Sequence, residues 1–200
     1  VSDEHITTCL PGGGEEGNHT AEVSISYSDG RLNAKHFLLQ IQLCRLQSEI
    51  YEIKFFDRAI PDQFPSYDNW VQHMEERISS MLNLSVSSDG VVPQWIVNTA
   101  HHSQNLLHRP YPGNMAPSHA SLMAATTSAI SLINGYHKSF RNPRLTWTFM
   151  VVNNAFQAAI VLLYIFGNYG YIVREASLEN ELLSALDNLM AIFVSNTQGP

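Results

Sequence analysis

From about Leu32 onward, apolar residues recur at helical spacing. Leu39, Leu43, Leu46, Ile50 and Ile53 advance in steps of four and three, which puts them on one face of a long helix from Leu32 to about Arg58. Phe37, Ile41, Cys44 and Tyr51 widen that stripe, so this helix is expected to be central and contacted on several sides. Pro61 and Pro65 end it. Ser66 or Asp68 can cap a second helix, with Trp70, Met74, Ile78 and Met81 as its buried stripe, Val71 and Leu82 beside them, and Glu75, Glu76 and Arg77 toward water. Pro93 suits the first turn of a third helix, Gln94 to His108, which Arg109-Pro110-Tyr111-Pro112-Gly113 stops. Ser118 caps a fourth, whose face carries Leu122, Ala129, Ile133, Tyr136 and Phe140 before Asn142-Pro143 breaks it. A fifth, Leu145 to Gly167, is apolar nearly all round, as suits a core helix, with Gly167 and Gly170 closing it. Ser177 caps the last, with Glu179 and Glu181 in the first turn and Leu182, Leu186, Leu189 and Phe193 as its stripe.

The first 31 residues lack this pattern. Gly12-Gly13-Gly14 breaks any element there, and the weak alternation of Ala21–Tyr27 is read as irregular rather than as a strand. The sequence therefore divides into an irregular segment, 1–31, and a helical domain, 32–200. The predicted fold class is all-α, an irregular array of about six helices.

Composition narrows the function. Apolar residues make up 44% of the chain and charged residues 14%, so much of it is expected to be buried or covered by further sequence. A formal net charge of −7 and no basic run argue against contact with nucleic acid and against a polybasic membrane patch. The two cysteines, Cys9 and Cys44, are too few for a disulfide framework or a structural zinc site; Cys44 reads as a small buried hydrophobe, and the setting as reducing and intracellular. The sequons at Asn18 and Asn83 carry little weight without other signs of secretion. Asn153, Asn154 and Gln157 interrupt Phe149–Phe166, so that stretch is read as a core helix and not a membrane span. Val1 opens no signal peptide, and the natural chain is expected to continue upstream.

Candidate chemistry is sparse. Nine histidines show no H-x-x-x-H or H-E-x-x-H spacing, and His101 and His102, as neighbours, point to different sides of a helix. There is no G-x-S-x-G elbow, and no lysine follows the triple glycine as a phosphate loop would need. Glu49 and Glu52 stand near the apolar stripe of the first helix. Arg45 precedes Glu49 by one turn, and Arg109 can add a second guanidinium, so Arg45, Glu49 and Arg109 are expected to form a structural polar clasp between helices. Asn153, Asn154, Gln157 and Trp147 are the candidates for a ligand pocket, since buried amides need partners.

Gln42-Leu43-Cys44-Arg45-Leu46-Gln47-Ser48-Glu49-Ile50 resembles a phrase of the fungal-specific transcription factor domain, the middle homology region of binuclear zinc-cluster regulators. The resemblance runs on in order. Asp3-Glu4-His5-Ile6-Thr7-Thr8-Cys9-Leu10-Pro11 is similar to a D-x-x-I-x-x-x-L-P phrase, with Cys9 a departure. Trp70 with Met74-Glu75-Glu76-Arg77, Leu106-Leu107-His108-Arg109-Pro110, Pro117-Ser118 with Ala124-Ala125, and Trp147, Phe156 and Leu162-Leu163-Tyr164 resemble later parts. The resemblance implies a fragment of a larger helical regulatory domain acting in the nucleus on RNA polymerase II transcription. It implies partners among transcriptional co-regulators or a second copy of the chain, and in some cases a small-molecule effector. DNA binding and zinc would belong to a six-cysteine cluster outside this sequence. No catalytic, cofactor or metal residue is assigned within it. The other reading is a stand-alone small-molecule-binding protein or enzyme on the same helical scaffold, which an enclosed cavity containing Asn153, Asn154, Gln157 or His101 would favour.

Overall fold

The computed structural model describes residues 25–27, 30–32, 34–56, 58–86, 92–113, 117–140 and 149–197. Among them the fold is all-α, with six helices: α1 (Ala34–Phe55), α2 (Tyr67–Leu84), α3 (Gln94–His108), α4 (His119–Phe140), α5 (Phe149–Glu175) and α6 (Glu179–Thr197). A two-stranded antiparallel hairpin precedes them, β1 (Ile25–Tyr27) and β2 (Gly30–Leu32), with Tyr27 opposite Gly30 and Ile25 opposite Leu32. The irregular reading of residues 21–27 is thus corrected at its end. Ser28-Asp29 are turn-forming residue types between short β-compatible runs, a local signal that outweighs the weak alternation.

Two hydrophobic cores lie side by side. One gathers Leu46 and Ile50 of α1, Trp70, Met74 and Ile78 of α2, and Ala100, Leu106 and Leu107 of α3. The other is built by α4, α5 and α6 around Leu122, Ile133, Leu162, Ile165, Leu182 and Ile192. Helix α3 joins them, since it packs on α1 and α2 and also on α4 and α5. The expected central role of α1 is therefore corrected. Its Leu39, Leu43, Leu46 and Ile50 are buried as the spacing predicts, but Phe37 and Cys44 are exposed, and among the helices it touches α2 and α3. The flank that Phe37 and Cys44 share with Gln40 and Arg45 is too polar to complete a second buried face.

The face that α3 turns toward α4 is polar and nevertheless buried. Asn98, His102 and Asn105, spaced by four and three, are all shielded from solvent. Asn105 Nδ2 donates to the Ala125 carbonyl at 3.2 Å. Asn98 Oδ1 accepts from Gln94 Nε2 at 2.9 Å. Opposite Asn98 stands Gly135 of α4, where an added Cβ would overlap the Asn98 amide oxygen.

Helix ends follow side-chain chemistry. Ser66 caps α2 by accepting from the Asn69 N–H at 3.3 Å. Ser118 caps α4 by accepting from the Ser121 N–H at 3.2 Å. Helix α5 is not closed by Gly167 and Gly170. It runs through both, with a kink at Tyr169 (φ −134°, ψ 32°), where the preceding turn is held by the Asn168 side chain donating to the Tyr164 carbonyl at 2.8 Å. It ends at Ser177, whose φ is 56°. The Ser177 N–H donates to the Arg174 carbonyl at 3.0 Å and the Leu178 N–H to the Val173 carbonyl at 3.0 Å. That pair is a Schellman closure with serine in the left-handed position where glycine is usual. Ser177 thus terminates α5 instead of capping α6. Helix α5 is also not buried all round: Phe156, Ile160, Leu163, Tyr164 and Tyr171 are exposed on its outer side. Met150–Glu175 is the one helix among the described residues long and apolar enough to cross a membrane.

Candidate functional site

Two buried ionisable side chains of the described residues, Lys54 and His108, stand where the ends of α1 and α3 meet α2. Lys54 lies four residues beyond Ile50, in phase with the buried stripe of α1, and only 5% of it is exposed. Its ammonium donates to the carbonyls of Leu106 (3.0 Å), Leu107 (2.6 Å) and Arg109 (2.9 Å). Those acceptors are left over at the C-terminus of α3, where the helix dipole also favours a cation. Three donors meet three acceptors, so the ammonium is fully used in closing α3. Its Nζ stands 4.7 Å from the Tyr111 ring centroid. Burial and then the nearby Arg109 charge push Lys54 down to about 7, while the carbonyls act in the other direction.

His108, the last residue of α3, is 6% exposed. Its Nε2 lies 2.8 Å from Glu75 Oε1 of α2. Burial, then the Lys54 charge, pushes the imidazole down to about 4, so near neutrality an uncharged ring donates Nε2–H to the carboxylate. Among the described residues, Nδ1 is then a bare acceptor without a partner. A cavity of about 10 Å³ lined by Lys54, Tyr67, His108 and Tyr111 adjoins it, roughly the room one water needs. Burial followed by contact with Tyr111 raises the Tyr67 hydroxyl well above the ordinary tyrosine value, which keeps it protonated and able to donate.

The predicted clasp of Arg45, Glu49 and Arg109 is not assembled. Arg45 is exposed on α1. Glu49 instead reaches α2, accepting from Trp70 Nε1 at 3.3 Å and from Arg77 Nη1 at 2.6 Å. Arg45 lies one turn back on the same helix, in the weaker orientation for pairing, and loses to an indole and a guanidinium supplied by a packed neighbour. Arg109 lies over the Phe55 ring, 4.7 Å from its centroid, and donates to Gln157 Oε1 of α5 at 3.0 Å. Glu75 and Arg77, expected to face water, are both engaged across helices.

The pocket candidates separate in the same way. Gln157 is tied to Arg109 on α3. Asn154 donates to the Tyr136 hydroxyl of α4 at 3.4 Å. Asn153 is half-buried on α5, and Trp147 lies outside the described residues. The two amides with partners go to different helices and do not converge on a shared cavity. Among the described residues, no three His, Cys, Asp or Glu side chains meet in a metal-binding group.

Sequence reasoning missed Lys54, His108, Glu75 and Trp70 Nε1 as parts of one junction. A usable signal existed for Lys54: a lysine in the buried phase of an apolar stripe needs acceptors. The arrangement can neutralise helix ends and fix the angles between α1, α2 and α3. Every charged group in it is spent on the protein itself. Compared with known proteins, the chain matches no family model, no curated protein and no solved structure.

Proposed function

We propose that the chain is a regulatory and interaction domain of a fungal zinc-cluster transcription factor, acting in the nucleus, with DNA contact and zinc left to a cysteine cluster outside it. One observation carries this reading. The two most specific family-like phrases, Gln42–Ile50 and Leu106–Pro110, fall on helices that interlock. Leu43, Leu46 and Ile50 are buried beside Leu106 and Leu107, Gln47 Nε2 donates to Ser103 Oγ at 3.0 Å, and Lys54, one turn past the first phrase, is bonded to the carbonyls of the second. The phrases therefore pair with a structural purpose, as residues that define a fold do. The polar groups act as fasteners between helices, which suits a domain whose output is binding. A formal charge of −7 suits a domain that leaves DNA to another region.

The test is a reporter assay. The 200-residue chain fused to an unrelated DNA-binding domain is expected to change transcription from the matching promoter in yeast, while the unfused chain fails to retard duplex DNA at physiological salt. A silent fusion, or tight and salt-sensitive binding of duplex by the unfused chain, overturns the proposal.

A further inference from the structure

Helices α5 and α6 share an outer surface that the other described residues leave open. On α5, Phe156, Ile160, Leu163 and Tyr164 follow one stripe, and Tyr171 is exposed beyond the kink, with exposures from 36% at Tyr164 to 52% at Leu163. On α6, Leu183 and Met190 are 59% and 58% exposed. The two parts are continuous. The rings of Phe156, early in α5, and Phe193, late in α6, stand 6.4 Å apart, which also shows that the helices run antiparallel. No charged residue occurs from Phe149 to Val173. Gly167 lies between Tyr164 and Tyr171, and an added Cβ there would meet nothing within 4 Å. The chain's own packing has no use for that glycine, whereas a helix crossing the stripe there could come close.

We infer that this face is the homodimer interface of the chain, with α5 and α6 of one copy packed on α5 and α6 of a second to form a four-helix layer. Three features select a second copy. Half-exposed side chains of this size leave roughly 100 Å² open each, so the seven named expose roughly 700 Å². That is large for the free surface of a monomer and is close to the roughly 600–800 Å² per partner that a stable interface covers. An antiparallel helix pair meets its own copy across a two-fold axis with every contact repeated, the commonest closed symmetry. Two chains of charge −7 repel, and the α5 part of the face, which carries no charge from Phe149 to Val173, is where they can meet. The inference rests on α5 and α6 alone and is independent of the transcriptional reading.

Sedimentation velocity of the 200-residue chain is expected to give a species of twice the 22.4 kDa monomer mass. Ile160→Glu places a charge in the interface twice per dimer and is expected to weaken association roughly a hundredfold or more. Gly167→Leu, which favours the helix and fills only open space, is expected to dissociate the dimer with unchanged far-UV circular dichroism. Leu84→Glu, at an exposed position on α2, should leave it intact. A monomer at about 100 µM, where a low-micromolar dimer would be complete, overturns the inference. So does a dimer indifferent to both interface substitutions, or a monomer that instead floats with neutral phosphatidylcholine vesicles, which would make lipid the occupant.

Discussion

At the scale of single residues, the Glu49 carboxylate is the clearest case of a charge whose partner is an adjacent helix. It holds the Trp70 indole N–H, on a side chain with no exposure, together with Arg77. Glu49→Ala would leave the indole N–H buried without an acceptor and is expected to lower stability by about 2 kcal/mol. Glu49→Gln keeps an acceptor, loses a half-exposed ion pair, and should cost about 1 kcal/mol or less. Urea denaturation of the two variants measures the difference, and equal losses would show that the charge and not the acceptor is what counts. His102 and His108 carry the pH dependence on the acid side, below about pH 6.5. Burial first, then the Arg109 or Lys54 charge, holds each at about 4, against 6.5 for an unhindered imidazole. Between those values the unfolded chain binds more protons than the fold. Stability is therefore expected to fall as pH drops from about 6.5 toward 4, on the order of 2–3 kcal/mol per histidine at the end of that window. The Glu75 carboxylate beside His108 opposes part of this. Replacing both histidines with glutamine should flatten urea midpoints between about pH 7 and about pH 5; an unchanged slope would assign the acid sensitivity to other groups.

At the scale of elements, apolar stripes located α1, α2, α4 and α6 closely, and Pro93 with Arg109-Pro110 located α3. The departures have physical causes. Helix α1 looked central because Phe37 and Cys44 widened its stripe, yet interleaved glutamines and Arg45 keep that flank in water. Helix α5 looked like a core helix because apolar residues surround it, and periodicity cannot tell a face covered by the same chain from one left open. Helix α3 is the reverse. Its Asn98, His102 and Asn105 carry no apolar signal, yet α4 supplies a carbonyl and a glycine at matching positions and they are buried. The clasp and the pocket were legible only as residue types that need partners, because which helix supplies a partner depends on packing between helices. Two substitutions test these joints. Gly135→Ala forces a methyl into the buried Asn98 amide and is expected to cost about 2 kcal/mol, seen as a lower denaturation midpoint; a neutral result would mean that the Asn98 amide turns aside and is not held between α3 and α4. Ser177→Gly removes the left-handed strain at the end of α5 and should raise stability by about 1 kcal/mol, whereas a loss of stability would show the serine side chain to be part of the closure.

At the scale of the whole molecule, two cores are bound into one unit through α3, whose apolar side completes the first core and whose polar side is stitched to the helices of the second. Each polar contact is modest taken singly. Together they fix α3 to α1 through Lys54 and Gln47, to α2 through His108, to α4 through Asn105 and to α5 through Arg109. A helix fastened on so many sides cannot open without disrupting both cores. Amide hydrogen exchange under native conditions tests this most directly. The amides of Ala100–His108 are expected to exchange only through global unfolding and to be the slowest in the chain. Faster exchange there than in α2 or α6, through an opening confined to α3, would contradict the account.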